Sequence, residues 1–362
     1  MKFYDQALID ELLKPGHVIK VFGQDVEIKD IPDDKRSGVL DPREFDIALK
    51  TLKDRQNTPF TLEAIRNQTG FPNTNINVKE IIIDVNFLDV NGFKLRVWSY
   101  RLRRSNNNKR PAIIYIHGGS WFAGSPFVSE NTCRYMAETM DAVVFNVEIS
   151  NAPERPFPCS LNDAKATVNF VYENAEKLGI DNSKITITGD SSGANIAAVT
   201  CLSEVGDKIA SQVLYYPCVT TFLEGCPFTW DIKDFEMDPN YAPYISPRLN
   251  LGRSDGQGMD EAMFMIMRMY LQHGEDRKNP LISPLYGDYK IFPKTIIFSA
   301  EYDGLRIQDE YFSAKLKEAG VPCLTIRFRG IYHAFVDKIG ILPQAEASIL
   351  MMKNQLDKWG LL

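Results

Sequence analysis

The sequence predicts an α/β fold in which a mostly parallel central sheet is covered by helices on both faces. The first observation is a set of short apolar runs, rich in β-branched or aromatic residues and bounded by turn residues. The second is that helical patterns lie between these runs. Short buried strands that alternate with helices are typical of a parallel sheet. The predicted strands are residues 112–116, 142–147, 184–188, 212–216, 295–299 and 323–328, and the predicted helices are residues 130–140, 161–178, 194–204, 307–319 and 344–359.

An antiparallel hairpin is expected ahead of this alternation, at one edge of the sheet. Residues 79–88 and 93–100 have the pattern of two strands, and Asn91-Gly92 between them is a strong signal for a two-residue hairpin turn. Residues 1–75 are polar and helix-leaning, and no strong strand signal precedes the hairpin.

A second irregular stretch interrupts the alternation between about Phe222 and Asp288. It is rich in Pro, Asp and Gly, and it contains one helix-like run at residues 259–271. We therefore expect a core domain that carries an insertion. The predicted core is residues 76–221 and 276–362, and the stretches outside it are residues 1–75 and residues 222–275, which we call the insertion.

Four methionines in the helix-like run are spaced by two residues, which does not match one face of a helix. Two interpretations stay open. The run is either a loosely packed helix of the insertion or a pliable wall of an apolar binding pocket, a role that suits unbranched thioether side chains. The residues concerned are Met263, Met265, Met267 and Met269.

Charge and composition argue against several classes of function. The chain of 362 residues has a net charge of −6, whereas a nucleic-acid binder shows a basic face. No segment approaches the roughly 18 to 20 apolar residues of a membrane span, and the acidic start lacks the apolar centre of a signal peptide.

The six cysteines form no CxxC pair, so we expect free thiols in the cytoplasm, with no metal and no cofactor. The sequence leaves open whether the chain forms a homodimer.

The stretch Gly189-Asp190-Ser191-Ser192-Gly193 fits the pattern G-x-S-x-G with Ser191 at its centre. The pattern alone is weak, but here it joins a predicted strand to a small-residue helix, which is the setting of a nucleophile elbow. Ser192 does not fit the frame as a nucleophile, and its expected role is to donate its backbone N–H.

A serine nucleophile needs a general base, and the base needs a carboxylate that holds it in one tautomer. Of the four histidines, His333 follows the last predicted strand, at the same edge of the sheet as Ser191. Asp303 follows the preceding strand and is the expected carboxylate, while Glu301 is its main rival. The order Ser, Asp, His along the chain is that of α/β-hydrolases.

Acyl transfer also requires hydrogen-bond donors for an oxyanion. The sequence after the strand at 112–116 is His117-Gly118-Gly119-Ser120-Trp121, which exposes consecutive backbone N–H groups near the elbow. The expected donors are Gly118, Gly119 or Ser120, together with Ser192. His117 is expected to shape this loop rather than to take part in the chemistry.

These motifs resemble the hormone-sensitive-lipase-like family of α/β-hydrolase serine carboxylesterases. The family motif H-G-G-G-W/F is matched by His117–Trp121, and G-D-S-A-G-G by Gly189–Ala194. The acid segment D-P-L-R-D is similar to Asp303–Ile307, the histidine segment H-G-F to His333–Phe335, and the loop A-P-E-H-P-F-P to Ala152–Pro158. The resemblance implies an α/β-hydrolase fold in which residues 76–221 and 276–362 form the catalytic core. It also implies that residues 1–75 and 222–275 supply a helical cap over the site.

Two positions depart from the family pattern. Ser120 stands in place of the third glycine, and it restricts the loop if that position needs a positive φ. Ile149-Ser150 replaces the Y-R that usually precedes the A-P-E loop, so local packing there must differ.

The expected function is hydrolysis of small to medium soluble carboxylic esters through an acyl-enzyme on Ser191. An amidase, a peptidase or a deacetylase of acetylated sugars could use the same machinery, and a ligand receptor on this fold is a further alternative. The size limit follows from the polar character of the predicted cap, which does not suggest the apolar lid of an interfacial lipase. Its charged residues include Asp231, Lys233, Asp234, Glu236 and Asp238.

Overall fold

The computed structural model describes residues 2–55, 61–103, 108–220, 225–229, 231–249 and 268–362. Within these residues the strands are β1 His17–Val21, β2 Gln24–Lys29, β3 Ile81–Val90, β4 Phe93–Leu102, β5 Arg110–Ile116, β6 Val143–Val147, β7 Ile180–Asp190, β8 Ser211–Tyr215, β9 Lys294–Tyr302 and β10 Cys323–Tyr332. The α-helices are α1 Gln6–Leu12, α2 Pro42–Arg55, α3 Leu62–Gln68, α4 Glu130–Met140, α5 Cys159–Glu173, α6 Ala175–Leu178, α7 Ser192–Cys201, α8 Ala242–Leu249, α9 Arg306–Glu318 and α10 Pro343–Lys358.

The strands form one sheet in the order β1-β2-β10-β9-β8-β7-β5-β6-β4-β3. The strands from β2 to β6 in this order are all parallel, and β1, β4 and β3 run antiparallel to their neighbours. The prediction of a mostly parallel sheet in an α/β fold is confirmed.

Helices cover both faces of this sheet, and the strands alternate their side chains between the two. In β5, Ile114 and Ile116 pack into the core beneath α5, α7 and α9. Ile113 and Tyr115 point the other way, into the core beneath α1, α4 and α10. This alternation follows from the two-residue period of a strand.

The hairpin predicted from Asn91-Gly92 is present as β3 and β4. Both turn residues have positive φ, 53° for Asn91 and 81° for Gly92, as a type I′ turn requires. The Asp89 carboxylate accepts a hydrogen bond of 2.9 Å from the Gly92 N–H. The pair β4 and β6 attaches this hairpin to the parallel part of the sheet.

The opposite edge of the sheet was not predicted. β1 and β2 form a second hairpin within residues 1–75, and β2 pairs in parallel with β10. Residues 1–75 carry no strong strand signal in the sequence, and their assignment to the cap is wrong for residues 17–29, which belong to the sheet. The strands are five and six residues long and half-exposed, and the turn at Phe22-Gly23 begins with an aromatic residue that is not typical of turns.

The remaining N-terminal segment packs against the insertion. The Phe45 ring of α2 lies 5.2 Å from the Tyr241 ring and 4.9 Å from the Tyr244 ring of α8. The Asp238 N–H donates to the Gly38 carbonyl at 2.8 Å. The helix α8 was not predicted. Of the helix expected at residues 259–271, the positions before 268 lie outside the described residues, and these include Met263, Phe264, Met265 and Met267.

No helix within the described ranges is long and apolar enough to cross a membrane. The six cysteines are all described, and none of them is joined to another in a disulfide.

Candidate active site

The elbow is a sharp turn between β7 and α7. Its central residue, Ser191, has φ 55° and ψ −121°, a backbone conformation that a non-glycine residue rarely adopts. The flanking glycines allow the turn to lie against the end of β5. A Cβ atom on Gly193 would come within 2.1 Å of the Ile116 carbonyl oxygen, and one on Gly189 within 2.5 Å of the same atom. The predicted strand–turn–helix context of the motif is confirmed.

The structure brings together the three side chains predicted for the triad. The Ser191 hydroxyl lies 2.9 Å from His333 Nε2, and His333 Nδ1 lies 2.6 Å from Asp303 Oδ2. Asp303 and His333 follow β9 and β10 directly, and the last residues of these strands are register partners. Parallel strands that end at the same edge therefore place the two side chains next to each other.

Asp303 holds His333 in one tautomer. A carboxylate oxygen can only accept, so Nδ1 carries the proton and Nε2 is left to accept from the Ser191 hydroxyl. The second oxygen of Asp303 accepts from the Leu305 N–H at 2.8 Å, which fixes the carboxylate. Burial acts to lower the pKa of His333, but the charge of Asp303 and its hydrogen bond act in the other direction, and the pKa is raised above its ordinary value.

The rival carboxylate, Glu301, makes other contacts. Its Oε2 accepts from the Gly330 N–H at 2.8 Å, and its Oε1 lies 3.6 Å from the Arg329 guanidinium. Ser192 also points elsewhere, because its hydroxyl accepts from the Trp121 N–H at 3.3 Å. Neither side chain takes part in the hydrogen-bonded chain of Ser191.

The loop of the predicted oxyanion donors contains three consecutive residues with positive φ. These are Gly119 at 134°, Ser120 at 55° and Trp121 at 63°. Ser120 thus occupies a position where glycine is favoured, which is the restriction expected from the sequence. In the described part of the chain, no acceptor is found for the N–H groups of Gly119, Ser120 and Ser192.

Gly118 drops out of the predicted set of donors. Its N–H already donates to Asp190 Oδ1 at 2.9 Å, and the same oxygen accepts from the Tyr115 hydroxyl at 3.0 Å. A Cβ atom at Gly118 would lie 2.3 Å from the other carboxylate oxygen of Asp190. The buried Asp190 thus anchors the loop to the elbow, and this contact explains why the N–H of Gly118 is not available for an oxyanion.

His117 is buried, and its Nδ1–H donates to the Gly118 carbonyl at 2.9 Å. Burial lowers the pKa of its imidazole, which favours the neutral form. The side chain packs beside Gly124, where a Cβ atom would lie 2.7 Å from the His117 Nδ1. These contacts hold the loop together, as expected for a residue that shapes it.

Sequence reasoning missed Tyr216, which lies beside the imidazole. The two ring centroids are 4.6 Å apart, and the Tyr216 hydroxyl accepts from the Val336 N–H at 3.3 Å. Its φ is 38°, so the chain turns sharply after β8 to bring the ring beneath His333. No local motif marks this residue in the sequence, since its position depends on the neighbouring strand.

The departure at Ile149-Ser150 is accommodated by a nearby arginine. Arg155 donates from Nε to the Ser150 hydroxyl at 2.7 Å, and its guanidinium lies 3.9 Å from the centroid of the Phe93 ring. The Ser150 N–H donates to the buried Asp163 at 2.8 Å. A cation and an aromatic ring therefore meet at this loop although neither comes from the usual positions.

This combination of sheet, elbow and hydrogen-bonded side chains defines an α/β-hydrolase. A family model of the α/β-hydrolase fold matches residues 113–337. An arylesterase of Saccharolobus solfataricus is 31% identical over 267 residues, which are 73% of this chain and 78% of the relative. Esterase LipI of Mycobacterium tuberculosis is 30% identical over 242 residues, 65% of this chain and 68% of the relative.

A solved structure agrees with these sequence relatives. The hyperthermophilic esterase of Pyrobaculum calidifontis has a TM-score of 0.68 at 26% identity, over 90% of this chain and 100% of that chain. The chain belongs to the hormone-sensitive-lipase-like family of α/β-hydrolases, and it is a serine hydrolase of the carboxylesterase class.

Proposed function

We propose that the chain hydrolyses carboxylic esters by forming an acyl-enzyme on Ser191. The observation that carries the proposal is the unbroken chain of hydrogen bonds from Ser191 through His333 to Asp303, at 2.9 and 2.6 Å. This geometry lets the imidazole take the proton of the serine hydroxyl as the hydroxyl attacks. Asp303 orients the imidazole and stabilises its charged form.

In the first half of the reaction, Ser191 Oγ bonds to the ester carbonyl carbon, and its proton moves to His333 Nε2. The backbone N–H groups of Gly119, Ser120 and Ser192 bind the oxyanion that develops. The bond to the alcohol oxygen then breaks, and this oxygen takes the proton from His333. In the second half, water loses a proton to His333 and attacks the acyl carbon. The bond between this carbon and Ser191 Oγ then breaks, Oγ takes the proton back from His333, and the acid is released.

The amidase, peptidase and deacetylase alternatives are not favoured, because the relatives that match most of this chain, such as the arylesterase and LipI, are named as esterases. The receptor alternative requires no general base, whereas His333 here contacts both Ser191 and Asp303. Ester hydrolysis uses all three hydrogen-bonded side chains, Ser191, His333 and Asp303, and it is the function that the site supports best.

The first prediction tests the identity of the nucleophile. Ser191→Ala removes the attacking oxygen, so hydrolysis of p-nitrophenyl butyrate should fall to the background rate, while circular dichroism shows an intact fold. Ser192→Ala is the matched control, since it removes the adjacent hydroxyl and keeps the proposed N–H donor; its rate should stay within about tenfold of wild type. Turnover by Ser191→Ala together with an inactive Ser192→Ala would contradict the assignment.

We further propose that the N-terminal segment and the insertion, apart from residues 17–29, form a cap that limits the substrate to small and medium soluble esters. The support comes from the polar exterior of the described insertion. Asp231, Lys233 and Glu236 are exposed, whereas Phe235 is only 3% exposed and packs inward. A cap of this kind encloses a pocket instead of offering an apolar surface to an oil interface.

The second prediction concerns the length of the acyl chain. Each methylene added to the acyl chain contributes roughly 0.8 kcal/mol of binding free energy only while it contacts the apolar wall of the pocket. We therefore expect a preference for acyl chains of about two to eight carbons. Rates over p-nitrophenyl esters from acetate to palmitate measure this, below and above the concentration at which micelles form. A rate that rises through palmitate, or that jumps with micelles, would instead indicate a lipase.

A further inference from the structure

The residues that precede the proposed acid and base are both tyrosines. Tyr302 ends β9 just before Asp303, and Tyr332 ends β10 just before His333. The two are register partners on adjacent parallel strands, and each is only 1% exposed. Two buried hydroxyls therefore lie side by side at the strand ends that carry the acid–base pair.

Both hydroxyls donate to backbone carbonyls of the insertion. The Tyr302 hydroxyl lies 3.0 Å from the Glu236 carbonyl oxygen, and the Tyr332 hydroxyl lies 2.9 Å from the Tyr244 carbonyl oxygen. A tyrosine hydroxyl that is buried needs a partner, and here each partner is a carbonyl of the same described segment, residues 231–249.

A third side chain beside the acid makes the same kind of contact. Arg306 donates to the Asp234 carbonyl at 2.6 Å and to the Glu301 carbonyl at 2.8 Å, and its guanidinium lies 4.1 Å from the centroid of the Phe235 ring. Residues on both sides of Asp303 thus contact the described segment 231–249, which consists of a short 3₁₀ turn, the helix α8 and irregular backbone.

We propose that Tyr302 and Tyr332 are positioning residues that hold the 231–249 segment against the strand ends carrying Asp303 and His333. The place of the segment over the site is then set by the same two strand ends that set the acid–base pair. The consequence for the reaction rests on the proposed esterase function and on the proposed cap. Without the two hydroxyls, the substrate pocket under the cap is poorly closed. Substrate binding then weakens, while the triad stays aligned.

The test uses Tyr302→Phe, Tyr332→Phe and the double variant of the full chain, with two readouts. A buried carbonyl that loses its donor is destabilised, so amide hydrogen exchange of peptides within 231–249 should become about tenfold faster in the double variant. KM for p-nitrophenyl butyrate should rise about tenfold, with kcat within about threefold of wild type. Exchange in the core strands should not change.

Tyr289→Phe is the matched control. It removes a hydroxyl that donates to the Leu285 carbonyl at 2.5 Å, outside residues 231–249, and both readouts should stay at the wild-type level. Unchanged exchange in 231–249 would overturn the proposal, and so would a fall in kcat with unchanged KM and exchange. If the wild-type protein hydrolysed no ester, the proposed function would fail, but hydrogen exchange would still decide whether the hydroxyls hold the segment.

Discussion

The two sides of the site are held in place by different physical means. On the nucleophile side, Ser191 and Ser120 both have a φ of 55°. Gly189 and Gly193 allow the backbone of the elbow to lie against the end of β5. On the acid–base side, Asp303 and His333 are joined by a short hydrogen bond between an acceptor carboxylate and an imidazole. One side depends on strained backbone and the other on charge.

The difference indicates how each side should respond to change. Strained non-glycine positions cost on the order of 1–3 kcal/mol each, and the surrounding packing must sustain them. Such positions respond to the shape of a side chain and little to pH. The acid–base pair instead responds to a change in the protonation of either residue. It also responds to an isosteric replacement that removes the charge of Asp303 and keeps its shape.

Among the changes that separate the two sides of the site, the largest effect is expected from removing the charge at Asp303. Asp303→Asn keeps the size of the side chain but lets His333 adopt the wrong tautomer, so kcat should fall about 10⁴-fold. Glu301→Gln, in the strand that precedes Asp303, is the matched control. Because Glu301 contacts Gly330 and Arg329 instead of His333, its kcat should stay within about tenfold of wild type. A severe loss in Glu301→Gln with a mild loss in Asp303→Asn would assign the acid to Glu301.

The next effect is the dependence on pH. His333 must be neutral to act as a base, and its pKa is raised by Asp303, against the lowering effect of burial. Activity should therefore be lost as the pH falls through a value above the ordinary pKa of histidine, at about tenfold in kcat/KM per pH unit below it.

The residual activity of Asp303→Asn provides the comparison for that profile. Since burial then acts on His333 without the opposing carboxylate, the acid limb should move to lower pH. The charge of Asp190 also raises the pKa of His333, and Lys338 lowers it, and both remain in the variant. An acid limb that does not move would show that Asp303 does not set the charge of His333.

The smallest effect is expected at Ser120, on the strained side. Ser120→Gly relieves the positive φ, so kcat should stay within about threefold, and the free energy of unfolding should change by no more than about 1 kcal/mol. Ser120→Val should reduce both kcat and the free energy of unfolding, because a β-branched residue tolerates positive φ poorly. Thermal unfolding and kcat on p-nitrophenyl butyrate measure the contrast. Equal behaviour of the two variants would show that backbone strain is not important in this loop.

Much of the site could be predicted because each proposed catalytic residue stands in a short motif at the end of a predicted strand. Ser191, Asp303 and His333 are separated along the chain, but carboxyl ends of parallel strands meet at one edge of the sheet. The alternation of strands and helices was therefore sufficient to place them together. The Asn91-Gly92 turn was predictable for a similar reason, since the residues that adopt its dihedral angles are few.

The parts that were missed depend on contacts between distant segments. β1 and β2 are short and half-exposed. They join the sheet through the pairing of β2 with β10, a strand that lies about 300 residues later in the sequence. The N–H of Gly118 is occupied because Asp190 is folded against it, which the motif alone does not reveal. Tyr216 reaches His333 only through the position of β8 in the sheet.

The most direct test of the proposed mechanism is to trap the acyl-enzyme equivalent with a fluorophosphonate and to locate it by mass spectrometry. We expect one phosphonyl group per chain, on Ser191, formed in proportion to the loss of esterase activity. Ser192→Ala should be labelled as wild type is, and Ser191→Ala should not be labelled. Complete inactivation with the label on Ser192, or with Ser191 unmodified, would contradict the account.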